Sequence, residues 1–152
     1  MGGPQVRRLL LLATAAVSLA GAADPFVATW VRNVEQSEPK QPLSGTMTFS
    51  PAGVGYRVTM EMIVAGGRAF HVEFIANPDG KDVPVKGHPA FDTISMKRVD
   101  AHVLETVAKR QGKVVQTARR VVSPDGKTLT VTGTDTDSAG VAVRYKTVFD
   151  RK

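Results

Sequence analysis

Apolar and polar residues alternate along most of this chain. Between positions 56 and 64, Tyr56, Val58, Met60, Met62 and Val64 share one phase, and Arg57, Thr59 and Glu61 take the other. Phe70, Val72, Phe74 and Ala76 alternate with His71 and Glu73, and Ile94 and Met96 with Thr93, Ser95 and Lys97. Over 141–149, Val141, Val143, Tyr145 and Phe149 oppose Arg144 and Lys146. A period of two marks antiparallel strands with one buried face. Further strands are predicted over Phe26–Val34, Leu43–Ser50, His102–Lys109, Lys113–Val122 and Thr128–Gly133. Past residue 22, no segment sustains the stripe of an amphipathic helix. Ala101–Arg110 comes nearest, but its Val103, Thr106 and Val107 favour a strand.

Turn signals separate these runs: "SPAG" at 50–53, "AGG" at 65–67, "NPDG" at 77–80, "RQGK" at 110–113, "SPDG" at 123–126 and "DSAG" at 137–140. Strands and turns so spaced predict an all-β meander, a single up-and-down antiparallel β-barrel or strongly curved sheet of about eight to ten strands. A flattened two-sheet sandwich is the alternative. The apolar phase places Trp30, Met47, Phe49, Tyr56, Val58, Met60, Met62, Phe70, Val72, Phe74, Ile94 and Met96 inside.

One pattern is written twice, as "ANPDGKDVPVKG" at 76–87 and "VSPDGKTLTVTG" at 122–133. Pro presets φ, Asp tolerates the bridge conformation, and Gly accepts the left-handed one. Each copy is therefore expected to make a short hairpin. A phosphate cradle needs converging amides and usually a helix N-terminus, and neither copy leads into a helix. Two stretches are less regular. "EQSEPKQP" at 35–42 reads as a polar connector, and "VPVKGHPAFD" at 83–92 as an edge or lid-like crossing, since proline is excluded from central strands.

The first residues belong to a different class. "MGGPQVRR" carries Arg7 and Arg8, "LLLLATAAVSLAG" is apolar but too short to span a membrane comfortably, and Ala20-Gly21-Ala22 fits a cleavage site. Residues 1–22 are expected to be a signal peptide, cleaved after Ala22 or Ala23. Residues 23–152 would then form one domain, exported to the periplasm or beyond the cell. No later apolar run is long enough to cross a membrane, so no stable membrane insertion is expected after cleavage. Without Arg7 and Arg8, the formal net charge of +6 falls to a mild excess spread along the chain. That pattern does not match the dense basic stripe of a nucleic-acid binder. The chain has no cysteine, hence no disulfide and no thiolate nucleophile.

Candidate chemistry is sparse. His71, His88 and His102 lack metal-ligand spacing, and neither a metal nor any other cofactor is expected. Of the three, His88, between Gly87 and Pro89, is the one expected to face a cavity mouth. Asp79, Asp82, Asp125, Asp135 and Asp137 sit in or near turns, where their backbone preferences explain them. "TDTDSAG" at 134–140 lacks the Glu and the glycine placement of a calcium loop and reads as a solvated hairpin end. No nucleophile, base and orienting group converge, so an enzyme is not expected. Arg119-Arg120 is more informative. Neighbours on a strand point to opposite faces, so one of the two must lean inward unless a bulge intervenes. A buried arginine demands a carboxylate or an anion. That partner is either a ligand head group or an internal glutamate: Glu61, Glu73 or Glu105.

The first strand with "ATW", the meander and the closing "KTVFDRK" resemble the small lipocalin-like barrels that group with lipocalins and fatty-acid-binding proteins. The stretch from "GKDVPVKGHPAFDTISMKRVD" through "GKVVQTARRVVSPDGKTLTVT" looks still more like an uncharacterised family of exported bacterial proteins. The first resemblance implies a calycin-type barrel with a ligand inside; the second implies no particular activity. Two departures narrow what carries over. Ala28 stands where the lipocalin motif prefers Gly, and Thr147 and Phe149 stand where fatty-acid-binding proteins carry the Arg-x-Tyr that grips the ligand carboxylate. A helix-turn-helix lid does not fit the short, proline-bearing 35–42 either.

The resulting expectation is a non-catalytic binding module for a small apolar or amphipathic molecule. Its interior contacts would come from Trp30, Tyr56, Met60, Met62, Phe70, Phe74, Met96 and one of Arg119 and Arg120. Tyr56, Met60, Met62 and Phe74 are expected to share one apolar volume. The alternative is a structural or protein-interaction barrel whose core is filled by its own side chains.

Overall fold

A computed structural model describes residues 23–152, so the expected signal peptide lies outside the described residues. The described chain is all-β. Its strands are β1 (Ala28–Glu38), β2 (Ser44–Ala52), β3 (Gly55–Ile63), β4 (Ala69–Ala76), β5 (Val83–Pro84), β6 (Thr93–Asp100), β7 (Val103–Arg110), β8 (Lys113–Val122), β9 (Thr128–Thr136) and β10 (Ala142–Arg151). They form one antiparallel sheet in the order β4-β3-β2-β1-β10-β9-β8-β7-β6-β5. Every step follows the chain except β1 against β10, where Trp30 faces Arg151 and Arg32 faces Phe149. That pairing joins the two chain ends and curls the meander into a nearly closed barrel.

The remaining seam, between β4 and β6, is bridged by the 77–92 segment. Glu73 and Lys86 exchange backbone hydrogen bonds of 3.0 and 2.9 Å, and the Gly80 amide donates to the Met96 carbonyl at 2.8 Å. The first Pro-Asp-Gly is thus not the hairpin the sequence led us to expect. Its backbone ties to β6 through Pro78 and Gly80, and the chain returns to the β4 edge only at Lys86, so the loop is too wide for a tight hairpin. The second copy does join neighbouring strands, β8 and β9, with the Gly126 amide donating to the Ser123 carbonyl at 2.9 Å.

A second difference is the length of β1, which continues through Glu35–Glu38 where a connector was expected. Between the pairs Asn33–Val148 and Glu38–Lys146, four residues of β1 oppose one of β10. Ser37, fully buried, satisfies this bulge. Its hydroxyl donates to the Asn33 carbonyl (2.6 Å) and accepts from the Val148 amide (3.0 Å). Local hydrogen bonding holds polar residues in a strand there.

The barrel end beneath Trp30 is solidly packed. Phe26, just before β1, tucks under the sheet and accepts a hydrogen bond from the Trp30 indole at 3.0 Å. Phe49 contacts Phe26 at 5.8 Å and meets Tyr56 edge-on at 5.4 Å between centroids. Each such side chain contributes about 1.5–3 kcal/mol by leaving water. Asp24, Tyr56 and Arg98 close this end with a hydrogen-bonded cluster, Arg98 reaching Asp24 at 3.0 Å. Burial and Asp24 push the Tyr56 hydroxyl pKa upward.

The seam generates a test. Gly87 has φ of +83° and packs so tightly that a Cβ would lie 1.9 Å from the His71 carbonyl oxygen, whereas Gly80, at φ +79°, faces open space. Gly80→Ala is expected to cost about 1 kcal/mol from backbone strain alone. Gly87→Ala is expected to cost about 2–4 kcal/mol, since the crossing must also leave β4. Chemical denaturation reads both, and equal losses would show that the seam adds nothing to stability.

Candidate functional site

Above the packed end lies a cavity of ≈ 190 Å³. Its walls differ in chemistry because the inward phase of the strands does. On one side stand Met47 of β2, Met60 and Met62 of β3, Ile94 of β6, and Phe91 from the crossing. On the other stand Arg32 of β1, Gln116 and Arg120 of β8, Asp135 of β9, and Tyr145 and Thr147 of β10. Val131 and Phe149 add apolar surface to that second side, and Gly45, Thr46, His88 and the β1–β2 connection residues Pro39, Gln41 and Pro42 complete the lining.

Arg120 is the unusual group. It is 7 % exposed, and its guanidinium donates to the Thr106 hydroxyl. None of the ion pairs among the described residues includes it. Burial lowers its pKa, while nearby Tyr145 acts in the opposite direction. An arginine nevertheless stays protonated in proteins, so this is a buried positive charge without a carboxylate. Arg32 shares the cavity but is committed to structure. It donates to Thr147 at 3.1 Å and to the Pro39 and Gln41 carbonyls at 2.9 Å each, which pins the β1–β2 connection to the wall. Its Nε is buried without a partner, and burial lowers its pKa.

The neighbouring polar groups are also shaped by burial. Desolvation pushes the Tyr145 hydroxyl up to about 12 and raises the Asp135 carboxyl, which the hydrogen bond from Gln116 (2.7 Å) partly offsets. His88 stacks on Phe91 with centroids 3.7 Å apart, and burial lowers its pKa to about 4, so its imidazole is neutral at physiological pH.

Of the side chains expected to touch a ligand, Met60, Met62 and Arg120 line the cavity. Trp30, Tyr56, Phe74 and Met96 are buried but belong to the packed core, so Tyr56 and Phe74 do not share the volume of the two methionines. Phe70 is half-buried, with the Arg68 guanidinium 4.9 Å from its ring, and does not line the cavity. Arg119 points outward and pairs with Glu105 at 2.7 Å. Of the three glutamates named as possible internal partners, Glu105 thus serves the outer arginine, while Glu61 and Glu73 pair with His71 and Arg57. His88 does line the cavity, as its place in the crossing led us to expect. Arg32, Gln116 and Asp135 were missed. Their signal was parity: Arg32 is two residues past Trp30, Gln116 four before Arg120, and Asp135 four past Val131, all in the inward phase.

No family model and no curated protein matches the chain. Solved structures do. Zebrafish ileal bile acid-binding protein, complexed with cholic acid, aligns with a TM-score of 0.52 at 12% identity, covering 84% of this chain and 99% of that one. The fatty-acid-binding protein of Manduca sexta aligns with a TM-score of 0.53 at 18% identity, covering 82% and 98%. The fold is that of the lipocalin-like, calycin-type barrels. At these identities the likeness speaks for fold alone. Both neighbours are binding proteins.

Proposed function

We propose that this chain is an exported, non-catalytic carrier or receptor for a small amphipathic anion, held with its head group on Arg120. The observation that carries this reading is the unpaired guanidinium beside an apolar-walled cavity. A charge left without a partner in a packed interior is costly, and an anionic ligand supplies what is missing. Methionines opposite it give an adaptable wall for an apolar body. The binding character of the two structural neighbours supports the same reading by analogy. The volume sets the scale. It falls below the ~300–1,000 Å³ of pockets for drug-sized ligands, so the ligand is short.

A non-catalytic role is supported by the engagement of the cavity's hydroxyl and imidazole nearest Arg32 and Phe91. The Thr147 hydroxyl accepts from Arg32, and the neutral His88 ring is stacked on Phe91. Export rests on residues 1–22, whose charged start, apolar run and small-residue site match a secretory signal. N-terminal sequencing of the protein recovered from its host should begin at Ala23 or Asp24; an intact Met1 in a membrane fraction would refute export.

The binding reading is tested by displacement of an environment-sensitive apolar dye with octanoate. Wild-type protein should release dye saturably. Arg120→Met should weaken octanoate by about 10–100-fold, the loss of a charge-assisted hydrogen bond. The same change should stabilise the unliganded barrel by about 1–3 kcal/mol, because it removes an uncompensated buried charge. A packed structural barrel would take up neither dye nor octanoate.

A further inference from the structure

We propose that Asp135 is a second recognition point, and that the ligand is a short amphipathic acid carrying a hydroxyl or ammonium donor along its chain. This rests on the reading of Arg120 as the anion grip and specifies what lies beyond the head group.

The inner faces of β8, β9 and β10 are arranged in rows by their register. Arg120, Val131 and Thr147 form one row, Ala118, Gly133 and Tyr145 the next, and Gln116, Asp135 and Val143 the third. Arg120 and Asp135 are thus four residues apart along the strands, about 13 Å between backbones. A long arginine side chain and a short ligand together span that gap. In the middle row the Tyr145 phenol lies over Gly133, where a Cβ would meet the Thr117 carbonyl oxygen at 2.1 Å and the Tyr145 hydroxyl at 2.8 Å, so a ligand reaching from Arg120 to Asp135 passes along the phenol that lines the cavity.

The third row holds a prepared acceptor. Gln116 Nε2 donates to Asp135 Oδ1 at 2.7 Å, which fixes the carboxylate. Asp135 Oδ2 has no hydrogen-bond partner among the described residues, and neither has the Tyr145 hydroxyl, although both residues line the cavity. The positive and negative groups of this wall do not pair with each other. Burial raises the Asp135 pKa, and the hydrogen bond from Gln116 offsets part of that rise. A ligand with a carboxylate at one point and a donor several atoms along satisfies both groups. A plain alkyl chain does not, because it covers Oδ2 while offering it nothing.

The experiment is calorimetric titration of the mature wild-type protein with octanoate and with the positional series of monohydroxy- and monoamino-octanoates. One position is expected to bind at least about tenfold tighter than octanoate, the gain from one hydrogen bond to a charged acceptor. Asp135→Leu should erase that preference while octanoate binds as well or better. If octanoate binds but no substituted analogue gains, or if the preference survives Asp135→Leu, the second point is refuted and the anion grip stands. If no member of the series binds, both readings fall.

Discussion

The pairing of β1 with β10 turns a chain of hairpins into an enclosure. Trp30 then lies opposite Arg151, whose guanidinium sits 5.6 Å from the indole, and the C-terminal Lys152 amide bonds back to the Thr29 carbonyl at 2.9 Å. Once the ends are joined, every second residue of ten strands must find room in one small interior. The lower part of that room is filled by Phe26, Trp30, Phe49, Leu104 and Leu129. The upper part is not filled, because the inward phase there delivers Arg32, Gln116, Arg120 and Asp135, which cannot be packed like leucines. The cavity is thus a consequence of where the inward phase turns polar.

Polar residues in that phase are a departure from the rule that made the fold readable. Alternation predicted the strands and the barrel class because burial of one face leaves a local trace at every other residue. β7, expected over His102–Lys109 and observed over Val103–Arg110, was legible by another signal, the β-branched Val103, Thr106 and Val107 outweighing an ambiguous period. The bulge at Ser37 and the seam at 77–92 were less legible. Both depend on hydrogen bonds to residues distant in sequence: Val148 in one case, Glu73 and Met96 in the other. The two Pro-Asp-Gly copies illustrate the limit. The same four-residue chemistry closes a hairpin in one place and stitches a barrel seam in the other.

The site was partly legible. Arg119-Arg120 announced that one charge faces inward, but parity alone could not choose between them. The structure chooses Arg120, and Glu105, one of the three glutamates considered for it, pairs with Arg119 instead. Aromatic residues drew attention because they are large, yet Trp30, Tyr56 and Phe74 spend their size on closing the barrel end. Smaller polar groups, Gln116 and Asp135, line the space that remains. The solved structures of like fold are binding proteins, one of them complexed with cholic acid. In this chain a buried arginine on β8, Arg120, lines the cavity.

In this reading the Arg120 guanidinium waits for an anion. Native mass spectrometry of the protein purified from its own host, without exposure to detergent, addresses it directly. One small acidic molecule should be bound per chain, released on denaturation and replaced by octanoate on incubation. A chain of bare mass that remains bare after incubation with octanoate would contradict it.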